Sequence, residues 1–219
     1  MLKFTKRDVL FTLILGEIVG LFAYAIIRQQ ARAEGASEML RGLAELPITL
    51  PALAILVPIA ALAALVLTYL LGKRVNPALF QFGKFAAVGF SNTAIDWGIL
   101  NLLLAPFGLS GIGAIMGKAI SFIVATLNSF LWNRFWSFEQ KGTEHMGKQA
   151  VQFYLVTGVG FLVNVTVYAA VNSIGSDTAL WAGIVAPAAA TASAMFWNFF
   201  GYKLVVFKAT NDQRPTTNN

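Results

Sequence analysis

Apolar residues occur in six long runs that are separated by short polar or charged segments. The runs cover residues 9–27, 48–71, 82–104, 109–132, 151–171 and 179–201. Each run approaches the ~20 residues that an α-helix needs to cross ~30 Å of hydrocarbon. None shows the short alternating segments that are typical of a transmembrane barrel. The pattern therefore predicts an all-α polytopic membrane protein with about six transmembrane helices.

The last four runs form two related hairpins, at residues 82–138 and 150–207. Positions correspond between the two copies in the pairs Phe85 and Phe153, Asp96 and Asn164, Arg134 and Lys203, and Phe138 and Phe207. Many carriers build their binding site between duplicated sets of helices. We therefore expect a four-helix domain of two parallel repeats at 78–208, an additional helix pair at 1–77, and a disordered cytoplasmic tail at 209–219.

Composition agrees with the membrane assignment and argues against several kinds of chemistry. Hydrophobic residues make up 57% of the 219 residues and charged residues 12%, which is more apolar surface than a soluble domain of this length can bury. The absence of cysteine excludes disulfides and thiolate metal sites, and His145 is the single histidine. The chain also lacks a phosphate-binding glycine loop and a nucleophile elbow. We expect no catalysis, no cofactor and no metal.

Basic residues are distributed unevenly between the two predicted faces of the membrane. If the N-terminus is cytoplasmic, the cytoplasmic segments hold 12 of the 16 lysines and arginines, and the outer segments hold only Arg28, Arg32 and Arg41. This bias places both termini in the cytoplasm, in the cytoplasmic membrane of a bacterium. The positive charge then serves topology and binding of anionic lipids, without any need for nucleic acid.

The outer segment at residues 33–46 has two interpretations. Met39, Leu43 and Leu46 follow helical spacing, which favours a short amphipathic helix on the outer membrane surface. The alternative is an ordinary exposed connector.

Glu17, Asp96 and Lys118 lie within predicted spans, where a charge costs ~3 kcal/mol or more. Asp96 and Lys118 are about equally far from a predicted turn near Gly108, so an antiparallel hairpin brings them to the same depth. We therefore predict an Asp96–Lys118 ion pair. The pair either fixes the register of the hairpin or lines a polar path, and the second hairpin, with its turn near Gly175, has only uncharged residues at the matching positions.

Two further sets of residues could contact a polar ligand. Amides lie within or beside the spans at Asn92, Asn101, Asn128, Asn164, Asn172 and Asn198. They can bond neighbouring helices or the hydroxyl groups of a sugar. Arg134 and Lys203 lie among aromatic residues at the cytoplasmic ends of the two repeats. They are either interfacial anchors or phosphate contacts.

The chain from about residue 82 to 208 resembles the GtrA-like family of small membrane proteins. The residues that carry the resemblance are Lys84-Phe85, Val88-Gly89, Asn92, Asp96, the segment from Asn128 to Phe138, and its echo in Asn198-Phe199, Lys203 and Phe207. The resemblance implies a flippase that moves a polyprenyl-phosphate-linked monosaccharide across the membrane for cell-surface polysaccharide synthesis or glycosylation. Members of the family mostly have four spans, so the N-terminal pair is an addition. Asn128 is also one position out of step with Asn198 when the closing phenylalanines are aligned.

The resemblance and the polar residues together define the predicted substrate-binding set: Lys84, Asn92, Asp96, Lys118, Asn128, Arg134, Asn164, Asn198 and Lys203. Two other functions stay open. The protein could be a non-transporting partner or anchor of a membrane glycosyltransferase, or a proton-coupled exporter of small molecules that uses Glu17 or Asp96. A homo-oligomer is compatible with each of these functions.

Overall fold

The computed structural model describes residues 2–32, 35, 37–107, 111–174 and 184–208. In these residues the regular structure is entirely helical, which confirms the predicted fold class. The α-helices are α1 (Lys6–Ala31), α2 (Glu38–Glu45), α3 (Thr49–Arg74), α4 (Ala78–Phe107), α5 (Gly111–Trp132), α6 (Met146–Ile174) and α7 (Ala186–Gly201). Two π-helical segments, π1 (Asn133–Ser137) and π2 (Tyr202–Val206), continue α5 and α7.

Four described segments are long and apolar enough to cross a bilayer: Lys6–Ala31, Thr49–Arg74, Gly111–Ser137 and Met146–Ile174. The protein is therefore a multi-pass membrane protein. Helix α4 has 30 residues, which is sufficient length, but Asn92, Asp96 and Asn101 lower its hydropathy. Six spans remain a prediction. The predicted turns near Gly108 and Gly175 and the tail after residue 208 lie outside the described residues.

Local polar side chains determine where the first two helices begin. Thr5 caps α1 and forms a reciprocal capping box with Asp8, so this helix starts before the predicted boundary at residue 9. Ser37 caps α2 by accepting a hydrogen bond from the backbone N–H of Leu40. The helical interpretation of the segment between the first two spans is therefore confirmed.

The chain divides into two compact units, Met1–Ser137 and Phe138–Asn219. The predicted boundary between residues 77 and 78 falls inside the first unit, because α1 and α3 both pack against α4. The domain division made from the sequence remains a prediction.

The core of the first unit contains Leu15, Leu65, Phe80, Val88 and Trp136. Glycines allow α1 and α3 to approach closely at the side of this core. A Cβ atom at Gly16 would lie 2.6 Å from the Cα atom of Pro58, and one at Gly20 would lie 2.7 Å from the carbonyl oxygen of Leu53. Small residues at helix crossings are typical of membrane proteins, because close backbone contact stabilises helix pairs where lipid tails are as apolar as the side chains.

Five aromatic residues form the core of the second unit: Phe138, Phe153, Phe199, Tyr202 and Phe207. The rings of Phe153 and Tyr202 stack with centroids 4.1 Å apart, and those of Phe138 and Phe207 stack at 4.9 Å. The Tyr202 hydroxyl also lies 2.6 Å from the Thr157 hydroxyl, which satisfies both groups away from water. This core fixes π2 against the first turns of α6.

Large aliphatic side chains cover the outward faces of the long helices. Ile55, Leu56, Ile59 and Leu67 of α3 are all more than half exposed. A soluble protein rarely shows such continuous apolar surface, whereas a bilayer covers it with acyl chains.

Candidate functional site

The clearest polar cluster inside a predicted span joins α4 to α5. The Nζ atom of Lys118 lies 2.5 Å from Oδ2 of Asp96, and the Ser121 hydroxyl donates a 2.7 Å hydrogen bond to Oδ1 of the same carboxylate. The ion pair predicted from the depth of the two residues in the hairpin is therefore confirmed. Ser121 was not predicted, although its i+3 spacing from Lys118 places both side chains on the same helix face.

This cluster is open to its surroundings on the lysine side. The side chain of Lys118 is 49% exposed and that of Asp96 is 16% exposed. An ion pair that only fixed the register of a hairpin would have its lowest free-energy cost if protein enclosed it fully, because each polar atom exposed to hydrocarbon is destabilising. The geometry instead leaves ammonium protons of Lys118 available to a polar group outside the hairpin.

A second ion pair, between Lys84 and Asp8, is enclosed. Lys84 Nζ lies 2.8 Å from Asp8 Oδ1, and the two side chains are 5% and 3% exposed. The Trp136 indole N–H donates to Asp8 Oδ1 at 2.9 Å, and the hydroxyl and backbone N–H of Thr5 donate to Oδ2 at 2.7 and 2.8 Å. The carboxylate thus receives four contacts.

The enclosed pair changes the interpretation of Lys84. The sequence predicts three charges within the spans, with Lys84 among the binding residues. In the structure Asp8 is also buried, and it is ion-paired with Lys84. The sequence did contain a signal for Asp8, since Thr5 and Asp8 have the spacing of a capping box. No pattern in the sequence indicated that this box contacts α4.

Several predicted amides retain a buried polar atom that makes no hydrogen bond within the described part of the chain. These atoms are Oδ1 of Asn92, Nδ2 of Asn128 and Oδ1 of Asn198. Asn128 is partly engaged, because its Oδ1 accepts a 3.1 Å bond from the Trp132 indole. Native proteins rarely leave such atoms unsatisfied, so water or a bound hydroxyl group would be expected to reach them.

Asn101 and Asn164 have different surroundings, and Asn198 has a further close contact. Asn101 donates to the Trp97 carbonyl one turn earlier in α4, at 2.7 Å, which is a local bond within one helix. Asn164 is partly exposed on α6. Asn198 lies directly against Gly160, where an added Cβ atom would overlap its amide group.

The basic residues at the ends of the two hairpins occupy matching π-helical segments. Arg134 lies in π1 and Lys203 in π2, and the two segments coincide when Phe138 is aligned with Phe207. Arg134 is buried, with its guanidinium 4.9 Å from the centre of the Phe135 ring. Lys203 is only partly buried, 5.6 Å from the ring centre of Phe199. π-Helical turns are rare in proteins and are frequently found at functional sites.

Residues 84–207 match the family described as GtrA/DPMS, transmembrane domain. The chain is 32% identical over 129 residues to the uncharacterized membrane protein YngA of Bacillus subtilis (strain 168), covering 57% of this chain and 78% of that protein. No solved structure matches significantly.

Proposed function

Because the chain belongs to the GtrA/DPMS transmembrane domain family, we propose that it moves a polyprenyl-phosphate-linked monosaccharide across the bilayer. The product would serve cell-surface polysaccharide synthesis or glycosylation. The protein would perform no covalent chemistry. We place it in the cytoplasmic membrane of a bacterium, with both termini in the cytoplasm, on the basis of its basic residues.

The observation that carries the proposal is the open cluster of Asp96, Lys118 and Ser121. A sugar has several hydroxyl groups, and each loses hydrogen bonds with water when it enters hydrocarbon. The Lys118 ammonium can donate to such hydroxyls while Asp96 holds it within the span, 2.5 Å away. The sugar hydroxyl groups would then replace their hydrogen bonds to water with hydrogen bonds to fixed polar side chains, and they would not be exposed to acyl chains.

Unsatisfied amides offer similar chemistry in each unit taken by itself. Asn92 supplies an acceptor in the first unit, and Asn198 supplies one in the second. Amide oxygens accept hydrogen bonds from hydroxyl groups without the cost of a buried charge. Neutral side chains of this kind suit a ligand that must be released again on the other side.

The lipid phosphate requires a cation near the cytoplasmic surface. We assign this role to Arg134 in one repeat and Lys203 in the other, since both lie at the same position of a π-helical segment. We assign Lys84 a structural role, because Asp8 already balances its charge. The matching π-helical segments also support the origin of the domain as two parallel repeats.

The direct test is leaflet exchange in proteoliposomes. A polyprenyl-phosphate monosaccharide is incorporated in both leaflets, and a membrane-impermeant reagent that oxidises the sugar follows the fraction exposed outside. We expect the purified protein to raise the accessible fraction faster than protein-free vesicles do. Exchange at the rate of empty vesicles would overturn the proposal and favour a non-transporting partner of a glycosyltransferase.

A further inference from the structure

The three basic residues predicted to lie on the outer face of the membrane line one cleft. The cleft has a volume of about 360 Å³ and is lined by Arg28 and Ala31 of α1, by Arg32 directly after that helix, and by Arg41, Ala44 and Glu45 of α2. The positive-inside rule disfavours arginine on this face. Their convergence in one place therefore requires a physical reason.

Both helices present the same spacing to the cleft. Residues 28, 31 and 32 and residues 41, 44 and 45 are each related as i, i+3 and i+4, which places each set on one helix face. The alanine in each set keeps the space between the arginines open. The opposite face of α2 carries Met39 and Leu43, which are 76% and 40% exposed. That face suits the membrane interface and would hold α2 at the level of the headgroups.

The arginines outnumber the acidic residue of the cleft. Three guanidinium groups and the Glu45 carboxylate leave two net positive charges. Arg28 donates a 3.3 Å hydrogen bond to the Tyr24 hydroxyl. Within the described residues, none of the three arginines is ion-paired with a carboxylate. Like charges held close together repel one another, so a bound anion would stabilise this arrangement.

We propose that the cleft binds a phosphate group. Arginine presents a planar pair of N–H donors that match two phosphate oxygens, and two or three such residues surround the anion. The phosphate comes from the headgroup of an anionic phospholipid in the outer leaflet or from a free phosphate in the adjacent water. This site lies in the N-terminal helices and is independent of the translocation proposed for the hairpins.

The test uses the full-length protein in nanodiscs that contain phosphatidylglycerol and phosphatidylcholine. Lipid retained by the protein is measured by native mass spectrometry, and inorganic phosphate binding is measured with a radiolabel in detergent. We expect the double variant Arg32→Gln, Arg41→Gln to lose about tenfold or more in binding of at least one probe, since charge-assisted bonds are removed. Arg74→Gln, at an exposed residue at the end of α3, is the control for loss of an arginine outside the cleft and should bind as the parent does.

A complementary variant tests the sign of the electrostatic effect. Glu45→Gln removes the carboxylate that competes with the ligand, so binding should become tighter. Loss of phosphatidylglycerol alone in the double variant would identify a lipid headgroup, and loss of inorganic phosphate alone would identify a free anion. If the double variant binds both probes as tightly as the parent and Arg74→Gln do, the proposal is overturned.

Discussion

Lys84 Nζ lies 2.8 Å from Asp8 Oδ1, so the first residue of the family-matched region is ion-paired with the first turn of α1. The Trp136 indole at the far end of the first hairpin donates to the same oxygen. A carboxylate from the N-terminal helices therefore joins both ends of that hairpin. This contact explains how two added helices can be an integral part of the first unit.

Asp8→Asn should destabilise the protein strongly. The change removes the Asp8 carboxylate from its buried pair with Lys84, and removal of one partner of such a pair costs ~3–5 kcal/mol. We expect the free energy of unfolding, measured by denaturation with sodium dodecyl sulfate, to fall by that amount. The double variant Asp8→Asn, Lys84→Met should recover much of the loss, because neither member of the pair is then left as a buried charge without the other. Equal effects of Asp8→Asn and the exposed Glu38→Gln would contradict this account.

Gly16→Ala should weaken the packing of α1 against α3. Its Cβ atom would come within 2.6 Å of the Pro58 backbone, so the helices must separate. Overpacking of this kind costs ~1–3 kcal/mol. Gly89→Ala in α4 is the matched control, because its Cβ atom would meet nothing within 4 Å. Thermal denaturation in detergent should lower the midpoint for the first variant only, and an equal midpoint for both would show that the close approach is unimportant.

Tyr202→Phe isolates one hydrogen bond in the core of the second unit. The aromatic stack on Phe153 is retained, while the 2.6 Å contact with the Thr157 hydroxyl is lost. We expect a loss of ~1 kcal/mol in unfolding free energy, the usual contribution of one such bond. Tyr168→Phe, at an exposed tyrosine of α6, should have no measurable effect. A Tyr202 variant as stable as the Tyr168 variant would mean that the hydroxyl contact contributes nothing.

The contacts that could be predicted from the sequence are those within one hairpin. Asp96 and Lys118 were predicted to pair because an antiparallel hairpin fixes their relative depth, and the structure confirms this. The Asp8–Lys84 pair was missed, since it depends on how α1 packs against α4 and no spacing in the sequence encodes that packing.

Side-chain partners within one helix were also difficult to assign from the sequence. Asn128 was placed in the binding set, yet its oxygen accepts a bond from Trp132 one turn later in the chain. An amide in a span can form a hydrogen bond within its own helix or to a bound ligand, and the residue type alone does not predict which bond forms. The π-helical form of Asn133–Ser137 and Tyr202–Val206 was likewise not predicted, because the apolar pattern of five residues at a helix end does not distinguish α-helical from π-helical hydrogen bonding.

Lys118→Met should slow translocation. The variant removes the ammonium that the open cluster offers to a sugar hydroxyl, and one charge-assisted bond is worth about tenfold in rate if it is made in the transition state. We expect about that decrease in the leaflet-exchange assay, with Lys73→Met, at an exposed residue of α3, exchanging as the parent does. If the Lys118 variant exchanges lipid as fast as the Lys73 variant, the cluster of Asp96, Lys118 and Ser121 does not contact the translocated sugar.

The same assay distinguishes translocation from proton-coupled export. A flippase that equilibrates lipid between leaflets needs no ion gradient, so a protonophore should leave the exchange rate unchanged. Abolition of activity by the protonophore, together with its loss in Asp96→Asn, would instead favour an exporter in which this carboxylate carries the proton.

Lys203→Gln should weaken binding of the lipid phosphate and leave the fold intact. Lys203 is partly exposed, so its removal takes away a phosphate contact without leaving an uncompensated buried group. We expect the half-saturating concentration of polyprenyl-phosphate sugar to rise about tenfold, the usual effect of losing one charge-assisted bond. Arg134→Gln should both weaken binding and lower the midpoint of thermal unfolding, because the Arg134 side chain is buried. The control is Lys208→Gln, which removes an exposed charge just after π2. If Lys203→Gln and Lys208→Gln show the same half-saturating concentration, the phosphate does not bind at Lys203.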